Sequence, residues 1–98
     1  MIRHIVFFSA KDKDDIQDIL AGLRILKDIS HASMLEIEPN IHSDTLSREV
    51  DVVVYGEFAD QSALDAYKTH PLYQKSIDLV RPLREMRIAA DTIATALD

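Results

Sequence analysis

The chain alternates short apolar runs of β type with longer stretches of helical periodicity. Residues 2–9 (IRHIVFFS) are rich in β-branched and aromatic side chains and read as a first strand. With a period of two, His4, Val6 and Phe8 share one face and Arg3, Ile5 and Phe7 the other. Both faces are largely apolar, so both are expected to be covered. Residues 10–15 form a polar turn, in which Asp14 and Gln17 have the spacing of a capping box. Ile16, Ile19, Leu20, Leu23 and Leu26 then recur at helical spacing, which predicts a first helix to about residue 28. Gly22 inside it costs about 1 kcal/mol relative to Ala, and close packing against the sheet would be a reason to hold a glycine there.

Residues 32–38 predict a second strand, with Leu35 and Ile37 on its apolar face and Pro39 as a stop or edge signal. Residues 40–48 are polar and read as a loop. Residues 50–58 predict a third strand, with Val50, Val52 and Val54 opposed to Asp51, Val53, Tyr55 and Glu57. Asp60 is a suitable N-cap for a second helix, whose apolar side is Ala63, Leu64 and Tyr67. His70 precedes a proline and is steered out of helical geometry, and Pro71 can open a third helix. Leu72, Ile77, Leu79 and Val80 give that helix its buried side, and Pro82 ends it. Residues 83–90 predict a last strand, with Met86 and Ile88 opposed to Glu85 and Arg87. The tail 91–98 is expected to lack a partner and fray.

The order β-α-β-β-α-α-β is α+β and ferredoxin-like, with a four-stranded antiparallel sheet and a split second helix. Helices on one sheet face leave Ile5, Phe7, Val53 and Tyr55 on the other, among Arg3, Glu36, Asp51, Glu57 and Arg87. That face is too apolar for water and too charged for a dry core. A second copy of the same sheet would cover it, so a homodimer is the expected partner arrangement.

The 98 residues suit one domain, and at this size oligomerisation is a natural source of added stability. The absence of cysteine excludes disulfides and thiolate chemistry. Eleven Lys+Arg against 17 Asp+Glu give a net charge of −6, which argues against nucleic acid and against anionic membranes as partners. No apolar run reaches the roughly 20 residues of a membrane span. The N-terminal apolar run is also too short for a signal peptide, so a cytoplasmic location is expected. His4, His31, His42 and His70 show no metal-ligand spacing, and there is no Gly-rich phosphate loop, so neither metal nor cofactor is expected.

Tyr67 and His70 are the candidate catalytic pair. Three residues apart at a helix end, they can lie on one side. A histidine can serve as base near neutrality, and a phenol can donate to a developing enolate. The structural alternative, favoured by the adjacent proline, is that His70 caps the third helix and Tyr67 is a core residue. His4 and Phe8, on the helix-facing side of the first strand, would line a pocket with Tyr67, unless His4 is simply a satisfied core residue. Arg81, Arg84 and Arg87, with Arg3, either hold a carboxylate ligand or pair with Glu36, Glu57 and Glu85 within the chain or across a dimer. The ion pairs are the expected arrangement.

Three segments, MIRHIVFFSAKD, VDVVVYGEFADQSALDAYKTHPLY and RPLREMRIAAD, resemble the stress-responsive A/B-barrel (Dabb) family, and the likeness spans nearly the whole chain. The resemblance implies a ferredoxin-like subunit whose sheet joins a second sheet in a dimeric α/β barrel. Many members of that family have no assigned activity, and a plant member closes a linear polyketide by an aldol reaction. The cyclase's tyrosine lies three residues before its His-Pro, where this chain has Tyr67, and its first-strand histidine matches His4. Its catalytic histidine follows the proline by two residues, and here that position is Tyr73. The resemblance therefore implies a homodimeric barrel that binds a small apolar or aromatic molecule, with His4, Phe8 and Tyr73 as ligand contacts. The alternative it carries is a cofactor-independent, polyketide-cyclase-like lyase using a Tyr/His pair. Monooxygenases and haem-degrading proteins share the barrel plan, but the chain has no Trp and lacks the Asn/His/Trp set of the haem-degrading members.

Overall fold

The computed structural model describes residues 1–95. Four strands, β1 (Ile2–Ala10), β2 (Met34–Pro39), β3 (Val52–Phe58) and β4 (Arg84–Ile93), form an antiparallel sheet in the order β2-β3-β1-β4. Three helices, α1 (Ile16–Arg24), α2 (Gln61–Thr69) and α3 (Pro71–Val80), pack on one face of the sheet, completing the ferredoxin-like fold expected from the sequence. The core lies between them. Val6, Phe8, Ile37, Val52, Val54 and Phe58 rise from the sheet to meet Ile19, Leu20 and Leu23 of α1, with Leu64, Tyr67 and Val80 from α2 and α3.

The caps explain where the helices start. The Asp60 side chain accepts from the Ala63 N–H (2.9 Å), opening α2 as expected. His70 has an extended backbone and its Nδ1 accepts from the Leu72 N–H (3.1 Å), so it caps α3 while Pro71 occupies the first helical position. The start of α1 differs from the expected capping box. Asp12, not Asp14, supplies the capping carboxylate, to the N–H of Asp14, and a 3-10 turn (Lys13–Asp15) precedes the helix. The predicted first helix also tightens into a second 3-10 turn over Ile25–Asp28. Leu79, expected in the core, is half exposed, and Ser76 is buried instead, its hydroxyl donating to the Gly22 carbonyl (2.9 Å). Gly22 thus faces α3 rather than the sheet.

Three further expectations change once register is known. β3 begins at Val52, so Asp51 precedes the strand and is not on the open face. It is buried, and its carboxylate accepts from the Ala10 N–H (2.8 Å) and from the Lys13 ammonium (2.7 Å). β4 runs on to Ile93, so Asp91 and Thr92 are paired with His4 and Arg3 rather than frayed, while residues 96–98 of the expected tail lie outside the described residues. Finally, Arg87 lies opposite Phe8 and Ile88 opposite Phe7. Directly opposed residues of an antiparallel pair share a face, so Arg87 is on the helix side and Ile88 on the open side. β4 is an edge strand, and period-two alternation alone does not say which of its two sets turns towards the helices.

The open face therefore carries Phe7 (38% exposed), Ile88 (55%) and the half-buried Ile5, Val53 and Tyr55. Arg3 is among them, and its Nε is the one buried side-chain polar atom without a hydrogen-bond partner among the described residues. No helix of the described residues is long and apolar enough to cross a membrane.

Candidate functional site

On the helix side, β1, β3 and β4 diverge from α2 and α3 around a cavity of about 270 Å³. Its inner wall is made by His4, Val6 and Phe8, the residues that alternation turns inward from β1. Tyr67 reaches it from the last turn of α2, and Tyr73 and Ser76 from α3. The sequence candidates His4, Phe8, Tyr67 and Tyr73 are thus brought together. His70 is not in the cavity wall. Its imidazole is committed to the α3 cap and lies edge-on to His31 at 6.2 Å between centroids.

The aromatic groups are in direct contact. Tyr67 packs against Phe58 (4.9 Å between centroids) and edge-on against Tyr73 (5.2 Å), and the His4 ring meets both Tyr67 and Phe58 at 6.2 Å. Such contacts fix ring positions and leave little freedom in the wall. Tyr67 as a whole is almost completely buried, but its hydroxyl keeps some accessible surface at the cavity and makes no hydrogen bond among the described residues. Burial, with Tyr73 beside it, pushes its phenol well above the usual value, and Arg87 pulls weakly the other way. Tyr67 is therefore a neutral hydrogen-bond donor near neutral pH.

His4 is equally buried, and its Nδ1 is hydrogen-bonded to Asp91 of β4. A carboxylate can only accept, so the neutral ring carries its proton on Nδ1 and keeps Nε2 as an acceptor. Burial lowers the His4 pKa below its ordinary value, and the bond to Asp91 offsets only part of this, while Lys68 and Arg87 add to the lowering. The result is an oriented, neutral imidazole beside a neutral phenol, which can bind a polar group or relay a proton. Sequence reasoning missed Asp91 because it lies 87 residues from His4 and inside a segment expected to fray.

Arg81, Arg84 and Arg87 line the other side of the cavity, and Arg87 Nη2 donates to the Tyr73 hydroxyl (3.3 Å). The ion pairs expected with Glu36, Glu57 and Glu85 do not form within the chain: among the described residues no salt bridge joins any of these arginines to a carboxylate. Glu36 lies opposite Tyr55 and Glu57 opposite Arg3, so both are on the open face, across the sheet from the cavity. No group of three His, Asp or Glu side chains among the described residues is placed to hold a metal.

The fold recurs in solved structures. A Dabb-family protein with a ferredoxin-like fold from Mesorhizobium loti is 24% identical, with a TM-score of 0.79 over 97% of each chain. A dimeric ferredoxin-like protein of unknown function from a Jannaschia species is 19% identical, with a TM-score of 0.83 over 95% of this chain and 98% of that one. A hydroxynitrile lyase from Passiflora edulis is 16% identical, with a TM-score of 0.77 over 99% of this chain and 95% of the lyase. No curated protein matches the chain. The family model of the stress responsive A/B barrel domain matches residues 2–94, from the first residue of β1 to just past the end of β4, and the chain belongs to that family, Dabb.

Proposed function

We propose that the protein is a homodimer joined through its open sheet faces, in which each subunit binds a small apolar or aromatic molecule in the cavity between helices and sheet. The observation that carries the binding reading is the cavity itself: about 270 Å³, walled by Phe8, Tyr67 and Tyr73 and by aliphatic side chains, with His4 as a polar anchor. A space of this kind matches the common form of small-molecule sites, apolar with a few placed polar groups. Dimerisation is supported by Phe7 and Ile88 on the open face, by the unpartnered Nε of Arg3, a residue of the same face, and by the dimeric Jannaschia structure. Titration with a neutral naphthyl methanol, followed residue by residue by amide NMR, tests the cavity. Shifts should map to β1, α2 and α3 and disappear in Ile77→Trp, which fills the space from the half-buried edge of α3. Shifts elsewhere, or none in the parent protein, would refute the reading.

A second reading is favoured by one observation, the Asp91–His4 pair sharing a cavity with the Tyr67 hydroxyl. There the molecule is a cofactor-independent lyase or cyclase, His4 Nε2 taking a proton α to a carbonyl while Tyr67 donates to the forming enolate. The related fold of the Passiflora lyase is compatible with such chemistry. In this reading His4 takes the place of His70 in the Tyr/His pair. Exchange of the methyl protons of acetophenone for deuterium gives a direct assay. Exchange should exceed the buffer rate and be lost in His4→Gln and Tyr67→Phe, and a rate equal to buffer would exclude it.

A further inference from the structure

We propose that Arg81, Arg84 and Arg87 form an oxyanion subsite on one side of the cavity, so that the ligand is an apolar or aromatic body carrying a carboxylate or a phosphate. The inference rests on the cavity reading above and adds the charge of the ligand.

The chain is acidic, with only 11 Lys+Arg in a net charge of −6, yet three of these cations line one cavity whose wall contains no Asp or Glu. Such a cluster is self-repelling. The pKa of Arg84 is lowered, first by burial and then by Arg87 and Arg81. Arg81 alone has a local reason for its place, because it follows α3 and complements the negative end of the helix. Arg84 and Arg87 have none. They are three residues apart on β4, and in a regular strand that spacing would send them to opposite faces.

A break in the ladder turns both inward. Arg87 lies opposite Phe8 and Arg84 opposite Ala10, so β4 has one extra residue between these pairs. This is a β-bulge, the device that re-aims a side chain at the edge of a sheet. Ser9 holds it, its hydroxyl accepting from the Met86 N–H at 3.0 Å. Arg87 is further fixed by its bond to the Tyr73 hydroxyl, and Tyr73 in turn touches Tyr67. The guanidinium end of the cavity is thus continuous with its aromatic end. Planar guanidinium groups suit two-point binding of carboxylate or phosphate, and the missing counter-charge is what such a ligand would supply.

The test is an NMR titration of the whole chain with naphthoate, naphthyl phosphate and neutral naphthyl methanol. At low salt at least one anion should bind roughly tenfold tighter than the alcohol. The tighter of the two anions names the head group. In the double variant Arg84→Gln with Arg87→Gln the preference should fall to within about twofold, the anion losing more affinity than the alcohol. Added salt should weaken binding of the anion alone, a readout that needs no variant to fold. Equal affinity for all three probes, an undiminished preference in the double variant, or salt-insensitive anion binding would each overturn the subsite and leave the cavity reading standing. Failure of every probe to bind would overturn both.

Discussion

Gly22→Ala is expected to destabilise the protein, although it replaces a helix-interior glycine by the best helix former. Gly22 does not have positive φ, so its backbone needs no special freedom. What it supplies is space where α1 crosses α3. A Cβ added there would lie 2.9 Å from Val80 Cγ2 and 3.4 Å from Leu79 Cβ. The first distance is well inside the roughly 3.5–4.0 Å of an optimal carbon contact. Val80 is 2% exposed and β-branched, with one preferred rotamer in a helix, so it cannot swing aside and α3 must move. Overpacking of this kind costs ~1–3 kcal/mol. The gain in helix propensity is about 1 kcal/mol, which leaves a net cost centred near ~1 kcal/mol. Removing the obstacle should reverse the sign. In a Val80→Ala background the same change should stabilise by up to about 1 kcal/mol, a coupling of about 2 kcal/mol between the two sites. Urea unfolding of all four proteins at one fixed concentration measures this through the midpoint at constant m. Stabilisation by Gly22→Ala in the parent protein, or additive effects of the two changes, would refute the packing argument.

Asp51→Ala should cost about 2–3 kcal/mol in the same assay, because it strips the buried Ala10 N–H of its acceptor and removes a charge-assisted bond. Lys13→Ala should cost less than about 1 kcal/mol, since the lysine side chain is 63% exposed; equal losses would mean that the ion pair, and not the backbone bond, matters. His70→Ala should lose about 1 kcal/mol as a cap with no change in the affinity of cavity probes, and a loss of binding would return His70 to the site. The folded pKa of His4 lies below the unfolded 6.5, so the stability it contributes is fully present above pH 6.5 and falls as pH drops below 6.5 towards the folded value. That dependence should be absent in His4→Gln. An imidazole midpoint above 6.5 by NMR would show that the attraction of Asp91 outweighs burial.

Much of the fold was legible because each element carries its own periodicity. Alternation in β1 turned His4, Val6 and Phe8 inward, and the Asp60 cap and the His-Pro step bounded α2 and α3 without any long-range information. Those grounds put His4 and Tyr67 on surfaces that face each other, which suits a satisfied core histidine at least as well as a cavity. What could not be read depends on register. The partner of His4 comes from the far end of the chain, and only the pairing of β1 with β4 brings Asp91 to it. The inward turn of Arg84 and Arg87 comes from a one-residue irregularity in the same ladder, which strict alternation cannot anticipate. Asp51 looks like one of a strand's outward polar positions, but it belongs to the connection before the strand, where the Ala10 N–H and Lys13 give it a buried role.

Whether the open sheet face is an interface decides how the cavity, the arginines and the unpartnered Arg3 Nε are to be understood together. Sedimentation velocity at micromolar concentration, comparing the parent protein with the double variant Phe7→Glu and Ile88→Glu, addresses this directly, because both positions lie on that face and neither enters the cavity. The parent should sediment at twice the chain mass and the variant as a folded monomer. A monomeric parent, or a variant that remains dimeric, would contradict an assembly through the sheet.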